Sequence, residues 1–302
     1  MFMGKNYLFI KLLIFIFCLG GFLSNAFGQN LVVDITEGNV QPLKIAINNF
    51  VDNDSNESEI GKNIVRVISN DLVSSGLFEA IDQAAFIEKP MSPRVKPNFV
   101  NWNPLGVKAL ITGSANINSG IAEVEFRLWD VVTEQNITGL KLSVDSKYWR
   151  RIAHIIADEI YKRLTGEEGY FDTRIVYVSE SGPLDARVKR LSIMDQDGHN
   201  HQFLTDGSYL VLTPRFSPTS QEVAYMAYYN NEPRVYIVDL ETNRQELLGT
   251  FPGMTFAPRF SPDGKSIIMS LADQGLTDIY LMNLQTQNVN QLTNSPSIDT
   301  SP

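Results

Sequence analysis

The residues of this 302-residue chain that could do chemistry are three histidines, one cysteine and a recurring set of aspartates. His199 and His201 could offer two imidazoles to a metal. They follow the polar turn Asp195-Gln196-Asp197-Gly198 with no third ligand near in sequence, whereas a zinc site needs three or four protein ligands. They read as a solvated turn. His154 falls in a helical stretch with no evident acid–base partner and reads as a packing histidine. Asp195, Asp239 and Asn283 recur at a constant spacing, as turn groups do. Cys18 is the single cysteine, which excludes a disulfide framework and any cysteine-based zinc site. No G-x-S-x-G, P-loop, G-x-G-x-x-G or H-E-x-x-H occurs in the sequence. The expectation is a protein that is not an enzyme, with no catalytic residue, no metal and no cofactor.

Elements that could position a binding surface are plentiful. With 43% hydrophobic and 20% charged residues the chain reads as folded, and its length suits about two domains. A net charge of −9, from 25 basic and 34 acidic residues, disfavours nucleic acid as a partner. Residues 1–28 carry Lys5 and Lys11, then an apolar run from Leu12 to Leu23, then Ser24-Asn25-Ala26-Phe27-Gly28. That is the layout of a secretory signal peptide, with cleavage after Ala26 or after Gly28. Its removal takes two lysines, Cys18 and no acid, moving the net charge from −9 to −11. An exported acidic protein without thiols suits a bacterial periplasm, with no membrane insertion after cleavage.

Self-similarity divides the rest. Pro214-Arg215-Phe216-Ser217-Pro218 recurs as Pro258-Arg259-Phe260-Ser261-Pro262, an offset of 44 that also relates Leu204, Leu248 and Leu292. One unit reads as strand Ser266–Ser270, strand Asp278–Met282 and a short strand near Gln291-Leu292-Thr293, with turn chemistry at Ser261-Pro262-Asp263-Gly264. Several short strands at this period predict β-propeller blades. Three units cannot close a propeller, so a C-terminally truncated copy is expected. Residues 29–168 do not repeat and read as an α/β domain, with 169–302 as the first three blades. In the α/β domain Ile60, Ile64, Val67, Ile68 and Leu72 share a helix face that Gly76 ends. Ile121 to Trp129 alternates as a half-solvated strand, and a last helix runs from Tyr148 to Leu164 before the linker Leu164–Gly169.

The chain resembles the TolB family, periplasmic components of the bacterial Tol-Pal system. The resemblance rests on Leu31-Val32-Val33-Asp34-Ile35-Thr36, Asp71-Leu72-x-x-Ser75-Gly76-x-Phe78, Trp102-x-x-Leu105-Gly106-Val107, Trp149-Arg150-Arg151-Ile152-Ala153-His154, Thr173 to Val178 and the Pro-x-Phe-Ser-Pro-Asp-Gly repeats. It implies a six-bladed propeller of which about three blades are present here. It further implies a non-enzymatic protein that links the inner-membrane TolA complex to the outer-membrane lipoprotein Pal and supports outer-membrane integrity and cell division. The family's N-terminal segment engages TolA, here Leu31, Val32, Val33, Asp34 and Ile35. Its propeller face binds Pal through loops that here are Ser208–Thr213, Gly253–Ala257 and Pro296–Thr300. Met254, Ala257 and Thr300 align with family Pal-face residues, Met254 standing where the family has a histidine. Two other readings are the propeller of a secreted serine peptidase whose catalytic domain lies downstream, and a propeller holding a small ligand or metal in its channel.

Overall fold

In the computed structural model, residues 41–302 are described apart from Ser55, Asn231, Thr250 and Pro252, with only the backbone of Met254. The signal-like segment 1–28 and Leu31–Ile35 lie outside these residues. The chain divides into two compact units at Gly169 and Tyr170.

The first unit runs β1 (Leu43–Ile47), α1 (Glu59–Ser74), β2 (Phe78–Ala80), β3 (Ala109–Asn118), β4 (Ile121–Asp130), β5 (Gln135–Asp145) and α2 (Trp149–Thr165). Its sheet has the order β2-β1-β3-β4-β5, with β1 parallel to both neighbours and the rest antiparallel. The alternation expected along β4 is present: Ala122, Val124, Phe126 and Leu128 are buried between half-buried neighbours. Helix α1 begins where Ser58 Oγ accepts from Gly61 N–H at 2.8 Å and donates to the Ala115 carbonyl at 3.0 Å. One hydroxyl thereby caps the helix and ties it to β3. Its Ile64, Val67, Ile68 and Leu72 are buried, and the helix stops at Ser74, two residues before a left-handed Gly76. Ile60, expected on that face, is only half-buried.

Two glycines make room for one residue, Gly113 for its ring and Gly61 for its backbone. Phe50 is fully buried; a Cβ on Gly61 would come within 2.4 Å of its carbonyl oxygen, and one on Gly113 within 2.6 Å of its ring. Neither position accepts a larger residue without displacing Phe50. Helices α1 and α2 pack together against the sheet. A separate cluster of Ala46, Phe99, Trp102, Val107, Leu110 and Val131 is built largely from the connection between β2 and β3. There the Trp102 indole N–H donates to Glu88 at 2.6 Å. Helix α2 ends at left-handed Gly166, whose N–H bonds the Lys162 carbonyl.

The second unit holds three antiparallel sheets. The first is β6 (Arg174–Ser181), β7 (Val188–Asp195) and β8 (Gln202–Phe203). The second is β9 (Val211–Phe216), β10 (Glu222–Tyr229), β11 (Glu232–Asp239) and β12 (Gln245–Leu247). The third is β13 (Met254–Phe260), β14 (Ser266–Asp273), β15 (Leu276–Asn283) and β16 (Val289–Gln291). The sheets stack face to face as propeller blades do. Val211, Val223, Tyr225 and Ala227 of the second sheet join Leu191 of the first, while Ala224 and Val235 join Ile267, Met269 and Leu271 of the third. This explains the unbroken buried run Val223–Ala227, since β10 has a neighbouring sheet on each face.

The structure corrects one expectation about the repeats. Val211–Thr213 and Met254–Ala257, expected as loops, already belong to β9 and β13, because their backbones pair with the second strand of each sheet before the proline is reached.

Candidate partner-binding surface

Each complete sheet starts with a strand that is bent in the same place. Thr213, Ala257 and Ser301 stand 44 apart, each precedes a proline, and each has a left-handed φ of 49°, 54° and 59°. L-residues pay a steric penalty there, and the register of β9 and of β13 shifts at that point. Such a bulge re-aims the strand and shortens its pairing. Strain of this kind recurring at one repeat position marks a place worth testing for function.

Of the expected Pal-face residues, Met254 opens β13 opposite Ala272, and Ala257 is the bulge residue. Thr300 follows Ile298 and Asp299, which pair with Thr277 of β15. Its neighbour Ser301 donates its N–H to Ser270 Oγ at 3.2 Å, and Ser270 pairs with Phe256. The structure therefore gathers Phe256 and Ser301, the neighbours of Ala257 and Thr300, about one residue of β14. Leu31, Val32, Val33, Asp34 and Ile35 lie outside the described residues.

The two ends of the stacked sheets differ in chemistry. One end carries the hairpin turns after β6, β10 and β14 and the loops leading into β9, β13 and the last residues. It exposes Leu184, Tyr209, Leu210, Tyr229, Leu276 and Ile298, with Leu184 at 88% and Ile298 at 74%. The rings of Tyr209 and Tyr229 meet at 4.9 Å across the start of β9 and the end of β10. Sequence reasoning passed over these side chains. The usable signal was Tyr228-Tyr229 running directly into Asn230-Asn231, aromatic residues carried onto a turn.

At the opposite end the turns are polar. Asp239 Oδ1 accepts from the N–H groups of Glu241 and Thr242 at 2.9 and 2.8 Å, and Asn283 Oδ1 from Gln285 and Thr286 at 3.0 and 2.9 Å. The hydrogen bond from Thr242 is the main reason the Asp239 carboxyl is held below its usual range. These recurring residues are turn groups, as their spacing suggested. The paired histidines do not converge on a common point: His199 Nδ1 lies 3.3 Å from Asp197, whereas the His201 ring packs edge-on to Phe203 at 4.6 Å.

His154 has a partner that sequence spacing hid. Its Nδ1 lies 2.7 Å from Asp71 Oδ2, with both side chains buried between α1 and α2. Among the described residues no helix is long and apolar enough to cross a membrane.

Comparison with known proteins covers both units in order. Residues 31–137 match the family model of the TolB amino-terminal domain, and residues 161–302 that of the TolB beta propeller domain. The Tol-Pal system protein TolB of Paramagnetospirillum magneticum is 54% identical over 221 residues, 73% of this chain and 49% of that protein. Its counterpart in Pelagibacter ubique is 52% identical over 229 residues, 73% of this chain and 51% of that one. The crystal structure of TolB from Acinetobacter baumannii superposes with a TM-score of 0.72 at 29% identity, over 89% of this chain and 65% of that chain. The chain thus spans about half the length of the curated relatives it matches.

Proposed function

The chain belongs to the TolB family, and from that premise we propose that it is a non-enzymatic periplasmic protein of a Tol-Pal system that links the inner-membrane TolA complex to the lipoprotein Pal. The observation that carries this reading is the contrast between the two ends of the stacked sheets. Proteins dock through patches with apolar, aromatic-rich centres, and only the end bearing Tyr209, Leu210, Tyr229, Leu276 and Ile298 offers one among the described turns and loops. Pal docks there, with Met254 and Ala257 of β13 and Thr300 of the last residues beneath it. Leu31–Ile35 is a short β-prone segment suited to strand addition on TolA. In this role the protein supports outer-membrane integrity and cell division.

The test is calorimetric titration of the full-length natural protein with the periplasmic domain of its own Pal, with and without residues 29–36. Saturable binding that is weakened by Tyr209→Ser and altered by removing the segment is the expected result. A folded protein that ignores Pal sinks the assignment.

A further inference from the structure

The loops of the apolar end are held from behind by one side chain per repeat. Arg190, Arg234 and Asp278 stand 44 apart, near the starts of β7, β11 and β15. Arg190 Nε donates to the Asp206 carbonyl at 3.1 Å, and its guanidinium lies over the Phe203 ring. Arg234 Nη1 donates to two carbonyls of the next loop, Phe251 at 3.0 Å and Gly253 at 3.1 Å. Its Nη2 is held by Glu232 at 2.8 Å. Asp278 is buried and works in the opposite sense: Oδ2 accepts from Gln291 Nε2 at 3.1 Å, and Oδ1 from Thr293 Oγ1 and Ser295 N–H at 3.4 Å. Where the anchor donates, the loop turns carbonyls toward it; where the anchor accepts, the loop turns donors.

The three loops also differ in how much else holds them. Thr205 and Thr293, 88 residues apart, each accept a strand N–H through Oγ1, from Leu191 at 2.9 Å and from Ile279 at 2.9 Å. The equivalent residue between them is Gly249, which has no hydroxyl. Among the described residues the middle loop lacks that tie, and it leads directly into Met254 and Ala257.

We propose that Arg234 is the positioning residue that sets the path of the chain into β13, and that each anchor is matched in polarity to its own loop, so that the loops of the docking end are fixed separately rather than by a common rule. The partner-binding part of this proposal rests on the Pal reading above; the positioning part does not.

The experiment uses the full-length protein and the variants Arg234→Met, Arg234→Lys and Asp278→Asn, each followed by backbone amide exchange and by titration with the Pal periplasmic domain. For Arg234→Met, faster exchange confined to residues 249–256 is expected, with Pal binding weakened about tenfold, the effect of losing hydrogen bonds from one charged group. Lysine can reach one carbonyl but not fork to two, so Arg234→Lys should restore part of both. Asp278→Asn places an amide donor against loop donors and should loosen residues 291–297 while leaving 249–256 unchanged. Unchanged exchange in 249–256 for Arg234→Met overturns the proposal, as does loosening spread over the whole unit in all three variants. If the parent protein does not bind Pal, the docking assignment falls, and local exchange alone decides the positioning role.

Discussion

The two compact units solve the same problem, holding strands in register, in different ways. In the first, every device occurs once: one slot of two glycines for Phe50, one hydroxyl that caps α1 and grips β3, one buried Asp71–His154 contact. In the second, each device recurs at a spacing of 44, as the left-handed residues Thr213, Ala257 and Ser301 and the side-chain-closed turns at Asp239 and Asn283 show. A single-use device gives no internal standard, whereas a repeated one supplies its own control in the neighbouring sheet. The differences between copies then become the informative part.

The contrast can be broken most forcefully in the first unit. Phe50→Ala should cost about 4 kcal/mol, because the backbone around Gly61 and Gly113 is already at closest approach and cannot collapse into the cavity. Urea unfolding followed by far-UV circular dichroism measures it; a loss below about 1 kcal/mol would mean that the slot is not rigid. Asp71→Ala comes next, at about 3 kcal/mol, since it strips a buried imidazole of a partner. The same denaturation midpoint checks it, and an unchanged midpoint would make the His154 contact incidental.

In the second unit the copies predict the sign. Thr255 is fully buried and its hydroxyl has no hydrogen-bond partner among the described residues, while the residue 44 earlier is the buried Val211. Thr255→Val should therefore stabilise by about 1 kcal/mol, the cost of an unmet hydroxyl. A destabilised variant would show that the hydroxyl does hydrogen-bond in the folded protein. The smallest effect is electrostatic and separates Asp239 from Asn283. Hydrogen bonding from Thr242 lowers the Asp239 carboxyl below its ordinary value. That turn's contribution is thus complete above the free aspartate range, near pH 4, and is lost as pH falls through the lower folded value. Asn283 does not titrate. In an NMR titration the Thr242 amide should move below about pH 4 and the Thr286 amide should not; equal movement would refute the comparison.

What could be read in advance follows from the distance over which each feature acts. The alternation in β4, the faces of both helices and the period of 44 are local or repeated patterns, and the chain displays them directly. The Asp71–His154 contact spans 83 residues, and no spacing rule reaches that far. The Phe50 slot depends on Gly61 and Gly113 arriving from two different elements, and the connection 81–108 becomes a core layer by packing Phe99, Trp102 and Val107 on Ala46 and Leu110, with the Trp102 indole bonded to Glu88. At the candidate surface, the strand starts were located by repeat position, but the bulge before each proline was not. A residue before proline is expected to be extended, and only the folded pairing forces it elsewhere.

The prolines at those bulges have a consequence for how the molecule meets copies of itself. Pro214 and Pro258 sit within β9 and β13, each the terminal strand on one side of its sheet. A proline offers no N–H, and the bulge beside it bends the backbone away from a straight template. A foreign strand that began to zip onto either edge would find a donor missing and its register broken within a few residues. Both complete sheets therefore carry their own stop against edge-to-edge aggregation, on the side where their first strands lie next to one another.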